Sequence, residues 1–146
     1  MSEQALPKWI ADHVRLYLTD PEKAHLWDAS LGGGTGMIPT LLLITQGARS
    51  GQERMLPLIY KKIDGNFVII ASKGGAPSHP GWFRNLKANP DCEIRVASES
   101  YKVHAREAEG AERERLWAEL VELYAPYTQY QERTKRRIPV VVLEPR

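Results

Sequence analysis

The sequence predicts a mainly β, α+β domain in which helices flank an antiparallel barrel. Six short stretches carry the apolar or alternating pattern of β-strands, and most of them are joined by tight turns. Amphipathic helical patterns occur before, between and after these stretches. Consecutive strands with short connections usually pair with one another, so we expect an antiparallel barrel whose ends and one side are covered by the helices.

Composition limits the classes of protein to consider. The chain has 146 residues, 42% of them hydrophobic and 26% charged, which is typical of one globular domain with a full core. Lys and Arg number 20 against 18 Asp and Glu, a balance that indicates neither nucleic acid nor an anionic membrane as a partner. The single cysteine, Cys92, cannot form an internal disulfide, and no signal peptide is recognisable. We therefore expect a cytoplasmic protein with one domain over residues 1–146, made of a helical segment over 1–30 and a core over 37–146.

Helical spacing predicts the N-terminal elements. Apolar residues recur on one helical face around Pro7, which we expect to be the first helical residue. They are Leu6, Ile10, Val14 and Tyr17. Asp20-Pro21 ends this helix and predicts a short second helix through Trp27. The glycines over residues 32–36 then predict a loop.

Strand patterns follow Pro39. The predicted strands cover residues 40–46, 54–63, 67–72, 92–96, 101–106 and 139–143. Pro57 removes a ladder donor from the second strand and indicates an edge or a bulge. Asp64-Gly65 is typical of a hairpin turn. Two further helices are predicted, over residues 80–88 and 112–124, the latter with Leu116 and Leu120 in its apolar stripe.

Several common catalytic motifs are absent from the sequence. The glycine loop matches neither a phosphate-binding P-loop nor the dinucleotide pattern, and no nucleophile elbow is present. None of the four histidines is paired at metal-ligand spacing. We therefore expect no metal site.

The turn over residues 47–54 can bind an anion. Gly47 and Gly51 frame a turn whose backbone N–H groups can form a nest, and three side chains can add hydrogen bonds. These are Arg49, Ser50 and Arg54. A solvated hairpin turn is the alternative interpretation.

A second candidate segment begins where the third strand ends, at Ser72-Lys73-Gly74-Gly75. Glycines there let the backbone approach a ligand closely, and a helix follows at once. Trp82 and Asn85 lie three residues apart on that helix, so they share a face that a flat aromatic ligand can contact. A loop with one core tryptophan is the alternative.

The third candidate segment carries Tyr124, Tyr127 and Tyr130. A spacing of three puts these tyrosines on one helical face, and their polar neighbours are typical of a cavity wall with hydroxyl tips. Core packing is the alternative. The basic run Lys135-Arg136-Arg137 is typical of a solvated helix end, although it can also steer an acidic ligand.

Together, these segments resemble the deazaflavin-dependent nitroreductase family. Thr45 to Leu58 resembles the family block T-x-G-R-[KR]-[ST]-G-x-x-R-x-x-P-L, and Ala71-Ser72-Lys73-Gly74-Gly75 resembles A-S-x-G-G. The stretch over residues 79–90 resembles P-x-W-x-x-N-L-x-A-N-P, and residues 123–131 and 137–145 resemble the tyrosine segment and the closing strand. The blocks occur in order from about Pro39 onward. Three positions depart from the common pattern: Ala48, Gly81 and Phe83.

The resemblance implies a split β-barrel of the flavin/deazaflavin-reductase type that binds reduced coenzyme F420, an 8-hydroxy-5-deazaflavin with a phosphate and an oligoglutamate tail. Carried over by position, the implied phosphate ligands are Ala48, Arg49 and Ser50, helped by Arg54. The residues implied to contact the ring are Met55, Leu56, Pro57, Leu58, Ile59, Ile70, Ala71, Ser72, Lys73, Trp82, Asn85 and Tyr127. The residues implied to face the substrate are Ser72, Tyr124, Tyr127 and Tyr130, with Tyr127 closest to the ring.

The implied reaction is hydride transfer from reduced F420 to an electron-poor acceptor. The acceptors implied are quinones, nitroaromatics and unsaturated lactones of the coumarin or aflatoxin type, so xenobiotic reduction is one expected role. Two alternatives stay open: an FMN-dependent enzyme of the same barrel type, and a protein that holds a deazaflavin or flavin without turnover. We expect a small, flat, apolar substrate, no nucleic acid, a monomer or weak homo-oligomer, and at most peripheral membrane contact through the first helix.

Overall fold

The computed structural model describes residues 6–146, so the first five residues of the expected N-terminal segment lie outside the described part. The helices are α1 (Lys8–Thr19), α2 (Pro21–Ala24), α3 (Gly81–Ala88), α4 (Gly110–Leu123) and α5 (Pro126–Arg133). The strands are β1 (Leu26–Asp28), β2 (Met37–Gln46), β3 (Glu53–Ile59), β4 (Lys61–Ile63), β5 (Asn66–Ile70), β6 (Asp91–Val96), β7 (Glu99–Glu107) and β8 (Val140–Pro145).

The strands form one curled antiparallel sheet, which confirms the predicted class of fold. Its order is β1-β2-β6-β7-β8-β5-β4, and β3 pairs with β2. Because β3 runs directly into β4 through Tyr60, the ladder returns from β5 to β2 along one bent stretch of chain. The sheet thus curls into a half-barrel, in which the stretch from β3 to β4 is the chain connection between its two ends. Within the described chain, β3 pairs with β2 alone, so Pro57 stands on a strand edge as predicted.

Alternating side chains divide the core into an inner and an outer layer. On β5, Phe67 and Ile69 point into the barrel, while Val68 and Ile70 point outward beneath α4 and α5. β8 continues this alternation. Leu42 of β2 is covered from outside by the fully buried Tyr17 of α1. The helices therefore cover outward faces that would otherwise expose apolar strands.

Several predicted boundaries were wrong. Residues 6–146 form eight strands rather than six, because the stretch 54–63 divides at Tyr60 and because Trp27 lies in β1 instead of the second helix. The second helix ends at Ala24, since the next residues pair with β2 in the register Leu26 to Pro39. At Tyr60 the chain leaves its partner β2, and its ring packs edge-on against Phe67.

The ends of other elements also shift. Pro7 precedes the first helix instead of opening it, and Leu6 is exposed. The third predicted strand ends at Ile70 instead of Ser72, because the chain then enters a 3₁₀ turn. The last strand runs from Val140 to Pro145 instead of 139–143. Among the described residues, no helix combines the length and the apolar character that crossing a membrane requires.

Candidate functional site

The turn between β2 and β3 is closed by its own backbone. The N–H of Gly47 donates to the carbonyl of Gln52 (2.7 Å), and the N–H of Gly51 donates to the carbonyl of Gly47 (2.9 Å). The hydroxyl oxygen of Ser50 accepts from the N–H of Gln52 (3.1 Å). The exposed N–H groups of Arg49 and Ser50 make no hydrogen bond within residues 6–146. Two adjacent N–H groups beside an arginine are therefore available to an anion.

Asn85 of α3 fixes the position of this turn. Its amide oxygen accepts from the N–H of Ala48 (2.9 Å), and its amide nitrogen donates to the hydroxyl of the buried Thr45 (3.1 Å). The Ala48 N–H is thus already engaged, whereas those of Arg49 and Ser50 are not. Arg54 lies at the base of the turn and donates to the side chain of Gln52 (3.1 Å).

The predicted ring-binding residues of β3 are half-buried and alternate between two environments. Leu56 and Leu58 pack against the barrel interior, whereas Met55 packs against the Tyr17 cluster beneath α1. Ile59 packs against the outer layer. Since the second edge of β3 pairs with no strand of the described chain, this edge can accept a ligand along residues 55–59.

Trp82 is 7% exposed and packs in the barrel core, and its contact with a flat ligand stays a prediction. Ile70 and Ala71 are likewise buried, at 4% and 0% exposure. Ser72 is half-buried and Lys73 is exposed at the start of the loop that follows β5. Ser72 and Lys73 are therefore the members of this group that present side chains toward solvent or a ligand.

The loop after β5 is held by Arg136, which lies 57 to 65 positions further along the chain. Its guanidinium donates to three carbonyls of the loop, those of Ser72 (2.7 Å), Ala76 (2.8 Å) and Ala71 (3.2 Å). It also donates to Nδ1 of His79 (2.9 Å), which is therefore the acceptor nitrogen of a neutral imidazole. Burial and the nearby Arg136 charge lower the pKa of His79.

This loop also packs against the helix that carries the tyrosines. A Cβ added to Gly75 would lie 2.6 Å from the carbonyl oxygen of Tyr130, so only glycine allows this approach. Arg133 of the same helix donates to the carbonyl of Gly74 (3.3 Å). The Ser72 loop and the tyrosine helix α5 therefore form one continuous surface.

The three tyrosines contact one another. The ring of Tyr127 packs edge-on against those of Tyr124 (5.0 Å between centroids) and Tyr130 (6.1 Å). The hydroxyl of Tyr124 donates to the carbonyl of Gly32 (2.9 Å) and lies 3.1 Å from the hydroxyl of Tyr130. Because a phenol has one proton, Tyr130 must be the donor in the second contact. Only the Tyr127 hydroxyl, among the three, has no hydrogen bond within the described chain.

The glycine loop over residues 32–34 packs closely against the ring of Tyr124. A Cβ added to Gly34 would lie 2.9 Å from two ring carbons of Tyr124. The same tyrosine contacts Trp27, whose ring stacks on Trp9 of α1 (6.2 Å between centroids). The N-terminal helix therefore reaches the tyrosine cluster through two aromatic contacts.

Burial raises the pKa of Tyr124 and Tyr127, and nearby tyrosine hydroxyls act in the same direction. Both phenols therefore stay protonated throughout the physiological pH range. They can donate hydrogen bonds but cannot serve as anionic bases.

A cleft of about 280 Å³ is lined mainly by residues of β2, β6 and β7 and contains none of the predicted catalytic residues. Its lining includes Thr45, Glu53, Asp91, Lys102 and Arg146.

The structure brings the second and third candidate segments into direct contact. It connects the first segment to α3 through Asn85, and the bent stretch from β3 to β5 links the turn to the Ser72 loop.

Sequence reasoning missed the role of Arg136. A run of three basic residues is usually solvated, and Arg137 follows that rule by pairing with Glu114 on the surface. The signal that distinguishes Arg136 is its neighbourhood: Gln131 accepts from the N–H of Ile138 and donates to the carbonyl of Arg136. These two hydrogen bonds hold the connection between α5 and β8 so that the side chain of Arg136 points at the loop that follows β5.

A family model described as F420H(2)-dependent quinone reductase matches residues 22–145 of the chain. A relative from Mycobacterium tuberculosis, named as an F420H(2)-dependent quinone reductase, is 41% identical over 149 residues. The alignment covers 94% of this chain and 97% of the relative.

Two solved structures are also similar. One, described as an F420-H2 dependent reductase (FDR-A), is 44% identical with a TM-score of 0.67, covering 73% of this chain and 94% of that one. The other, described as a domain-swapped dimer, is 37% identical with a TM-score of 0.70 and covers 93% of this chain and 97% of that one.

Proposed function

This chain belongs to the F420H(2)-dependent quinone reductase family, and we propose that it reduces a flat, electron-poor acceptor held between the Ser72 loop and the tyrosine helix. It is an oxidoreductase whose cofactor is coenzyme F420. The observation that carries the acceptor site is the close packing of Gly75 against Tyr130, with a 2.6 Å approach of an added Cβ. This packing unites two segments that each carry hydroxyl donors.

The turn over residues 47–54 fits the phosphate of the cofactor. Two unengaged N–H groups, those of Arg49 and Ser50, stand next to the guanidinium of Arg49. Ser50 uses an oxygen lone pair for Gln52, so its O–H remains available as a donor. Arg54 adds positive charge at the base of the turn. Ala48 contributes by keeping the turn on Asn85, since its own N–H is engaged.

When bound, reduced F420 supplies a hydride from C5 of its ring, and the protein supplies orientation and electrostatics. A quinone that gains a hydride and one proton becomes a quinol. Ser72 and Tyr127 carry the hydroxyl groups that can donate to the acceptor oxygen as its negative charge develops. Tyr127 stays protonated because burial raises its pKa, so it can keep this donor role across the physiological pH range.

Quinones are the first acceptors we propose, and unsaturated lactones of the coumarin or aflatoxin type and nitroaromatics are further candidates. All are flat and electron-poor. Tyr124 and Tyr127 are each 4% exposed and Tyr130 is half-buried, and we infer that this cluster lines one side of the acceptor site and suits an apolar ring with a polar rim. Such a wall selects for shape more than for one substrate, which is why xenobiotic reduction belongs to the proposal.

The test is a titration of the purified protein with F420 and, separately, with FMN, followed by fluorescence. Reduced F420 is then mixed with a quinone, a coumarin and a nitroaromatic. Binding of F420 with turnover supports the proposal. Binding without turnover supports a carrier, and binding of FMN alone supports a flavin enzyme; either outcome contradicts it.

Tyr127→Phe tests the role of the free phenol. We expect kcat to fall about 10-fold, with the F420 Kd within threefold of the wild type, because one hydrogen bond to a developing charge is lost. Tyr101→Phe is the matched control, since Tyr101 packs on Phe67 in the barrel and belongs to no candidate segment. Equal effects of the two substitutions would argue against this role.

We also infer cytoplasmic location with at most peripheral membrane contact. Trp9 is 59% exposed and Leu31 is 75% exposed, but Asp12 and Glu22 on the same segment disfavour an anionic lipid surface. Sedimentation with vesicles of neutral and anionic lipid checks this expectation. A monomer or a weak homo-oligomer is proposed for the assembly, and sedimentation velocity checks it.

A further inference from the structure

We propose that Arg136 is a positioning residue that sets the Ser72 loop against the tyrosine wall and so controls turnover without binding the cofactor. This inference rests on the proposed function, because it assigns a task to a residue outside the two surfaces that hold the acceptor. It is carried by the hydrogen bonds of one guanidinium to a loop of unusual backbone conformation.

The loop adopts a conformation that needs external support. Lys73, Gly74 and Gly75 have φ values of +46°, +62° and +84°, so three consecutive residues occupy the left-handed region. Lys73 carries a side chain, which makes this region unfavourable for it. An unfavourable backbone conformation of this kind persists only where contacts with the surrounding structure hold it in place.

Arg136 provides that support through its hydrogen bonds. Four of its N–H groups are used, three on the carbonyls of Ala71, Ser72 and Ala76 and one on His79. These acceptors flank the left-handed residues on both sides. The planar fork of the guanidinium therefore fixes the relative orientation of the carbonyls before and after Lys73.

The same residue also links the loop to the tyrosine helix. The backbone carbonyl of Arg136 accepts from Gln131 of α5 (2.8 Å), one residue after Tyr130. A shift of Arg136 would thus move the Ser72 hydroxyl relative to the phenol of Tyr127. The F420 phosphate turn lies outside this network, because Asn85 holds that turn from α3.

Charge gives Arg136 a second effect on the same site. The groups that accept its hydrogen bonds are carbonyls and an imidazole, and no carboxylate of residues 6–146 forms an ion pair with it. The half-buried guanidinium of Arg136 therefore places an unpaired positive charge next to the Ser72 carbonyl. This charge favours the negative charge that develops on an acceptor bound against the Ser72 loop.

The test compares Arg136→Gln, which removes the charge and the fork, with Arg136→Lys, which keeps the charge. Arg137→Gln is the matched control, because Arg137 is the exposed neighbour that pairs with Glu114. Five quantities are measured: kcat and KM for a quinone, the F420 Kd, Tm, and hydrogen exchange over residues 71–79.

For Arg136→Gln we expect kcat to fall about 10- to 100-fold, since a misplacement near 1 Å costs this much. The F420 Kd should stay within threefold, and exchange over residues 71–79 should rise. Arg136→Lys should recover part of kcat, and Arg137→Gln should match the wild type within twofold. If Arg136→Gln fails to fold, the Lys variant decides, and a wild-type kcat there overturns the proposal.

Two other results would overturn it. One is a kcat of Arg136→Gln within twofold of the wild type. The other is a parallel loss of kcat, F420 affinity and Tm in both variants, which a purely structural role would produce. If the wild type binds F420 but reduces no acceptor, the proposed function fails. The positioning role is tested separately by hydrogen exchange, and unchanged exchange over residues 71–79 in Arg136→Gln and Arg136→Lys would overturn it.

Discussion

Removal of the Asn85 side chain should loosen the turn over residues 47–54, which we propose to bind the cofactor phosphate, and so weaken F420 binding. Asn85→Ala deletes two hydrogen bonds, to the N–H of Ala48 and to the hydroxyl of Thr45, which is 4% exposed. At about 0.5–1.5 kcal/mol for each bond, the expected loss is about 1–3 kcal/mol in the free energy of unfolding. For a domain near this size, that corresponds to a fall in Tm of roughly 2–10 °C.

The assay is thermal unfolding together with an F420 titration, in which we expect Kd to rise about 10-fold because the turn is no longer held. Asn89→Ala is the matched control. Asn89 also bridges α3 to β2, through Gln46, but both side chains are exposed, so its unfolding free energy should change by less than about 0.5 kcal/mol.

Asn85→Asp separates stability from binding. The carboxylate still accepts from Ala48 and can accept from Thr45, so most of the stability should return. The added negative charge beside the turn proposed to hold the phosphate should nevertheless keep F420 binding weak. Equal losses of Tm in Asn85→Ala and Asn89→Ala, or wild-type affinity for F420 in Asn85→Asp, would contradict this role of Asn85.

Two further predictions concern the glycine loop and pH. Gly34→Ala should destabilise the fold by about 1–3 kcal/mol, because the new methyl group would press on the ring of Tyr124; Gly81→Ala, where an added Cβ meets no atom within 4 Å, should be neutral or slightly stabilising, and urea unfolding compares the two. Burial and Arg136 lower the pKa of His79 in the folded state, so the unfolded chain takes up its proton first as pH falls. Stability should therefore be full above the ordinary histidine pKa and decline as pH falls below about 6.5. His79→Asn, which keeps an acceptor for Arg136, should show a shallower decline in urea titrations between pH 7 and 5, and an unchanged slope would contradict the assignment.

Local patterns predicted most of the sheet. Alternation identified β6 and β7, and Asp64-Gly65 identified the turn before β5, because side-chain period and turn chemistry are properties of neighbouring residues. β1 was missed because three residues are too few to show a period. Its strand character comes from pairing with β2. Likewise, the division at Tyr60 follows from a change of partner strand, which no local pattern contains.

The site shows the same contrast between local and distant causes. The motifs located the turn, the loop and the tyrosines, since each is a continuous stretch of chain. Arg136 could not be assigned, because its acceptors lie on a loop far away in sequence and a charged run is usually solvated. The ring of Trp82 packs in the barrel core, and its contact with a ligand stays a prediction.

The position of β8 has a consequence for the rate of folding. β8 lies between β5 and β7, so Phe67 pairs with Leu143 while Arg106 pairs with Val142. Until this strand inserts, both β5 and β7 present open edges with unpaired backbone groups. Pairing β8 with β5 brings together Ile70 and Val140, which are far apart in the sequence, and closing the chain between them is entropically costly. We therefore expect the insertion of β8 to be a slow step on the millisecond-to-second scale. During that interval the exposed edges can pair with another chain, which makes refolding yield sensitive to protein concentration.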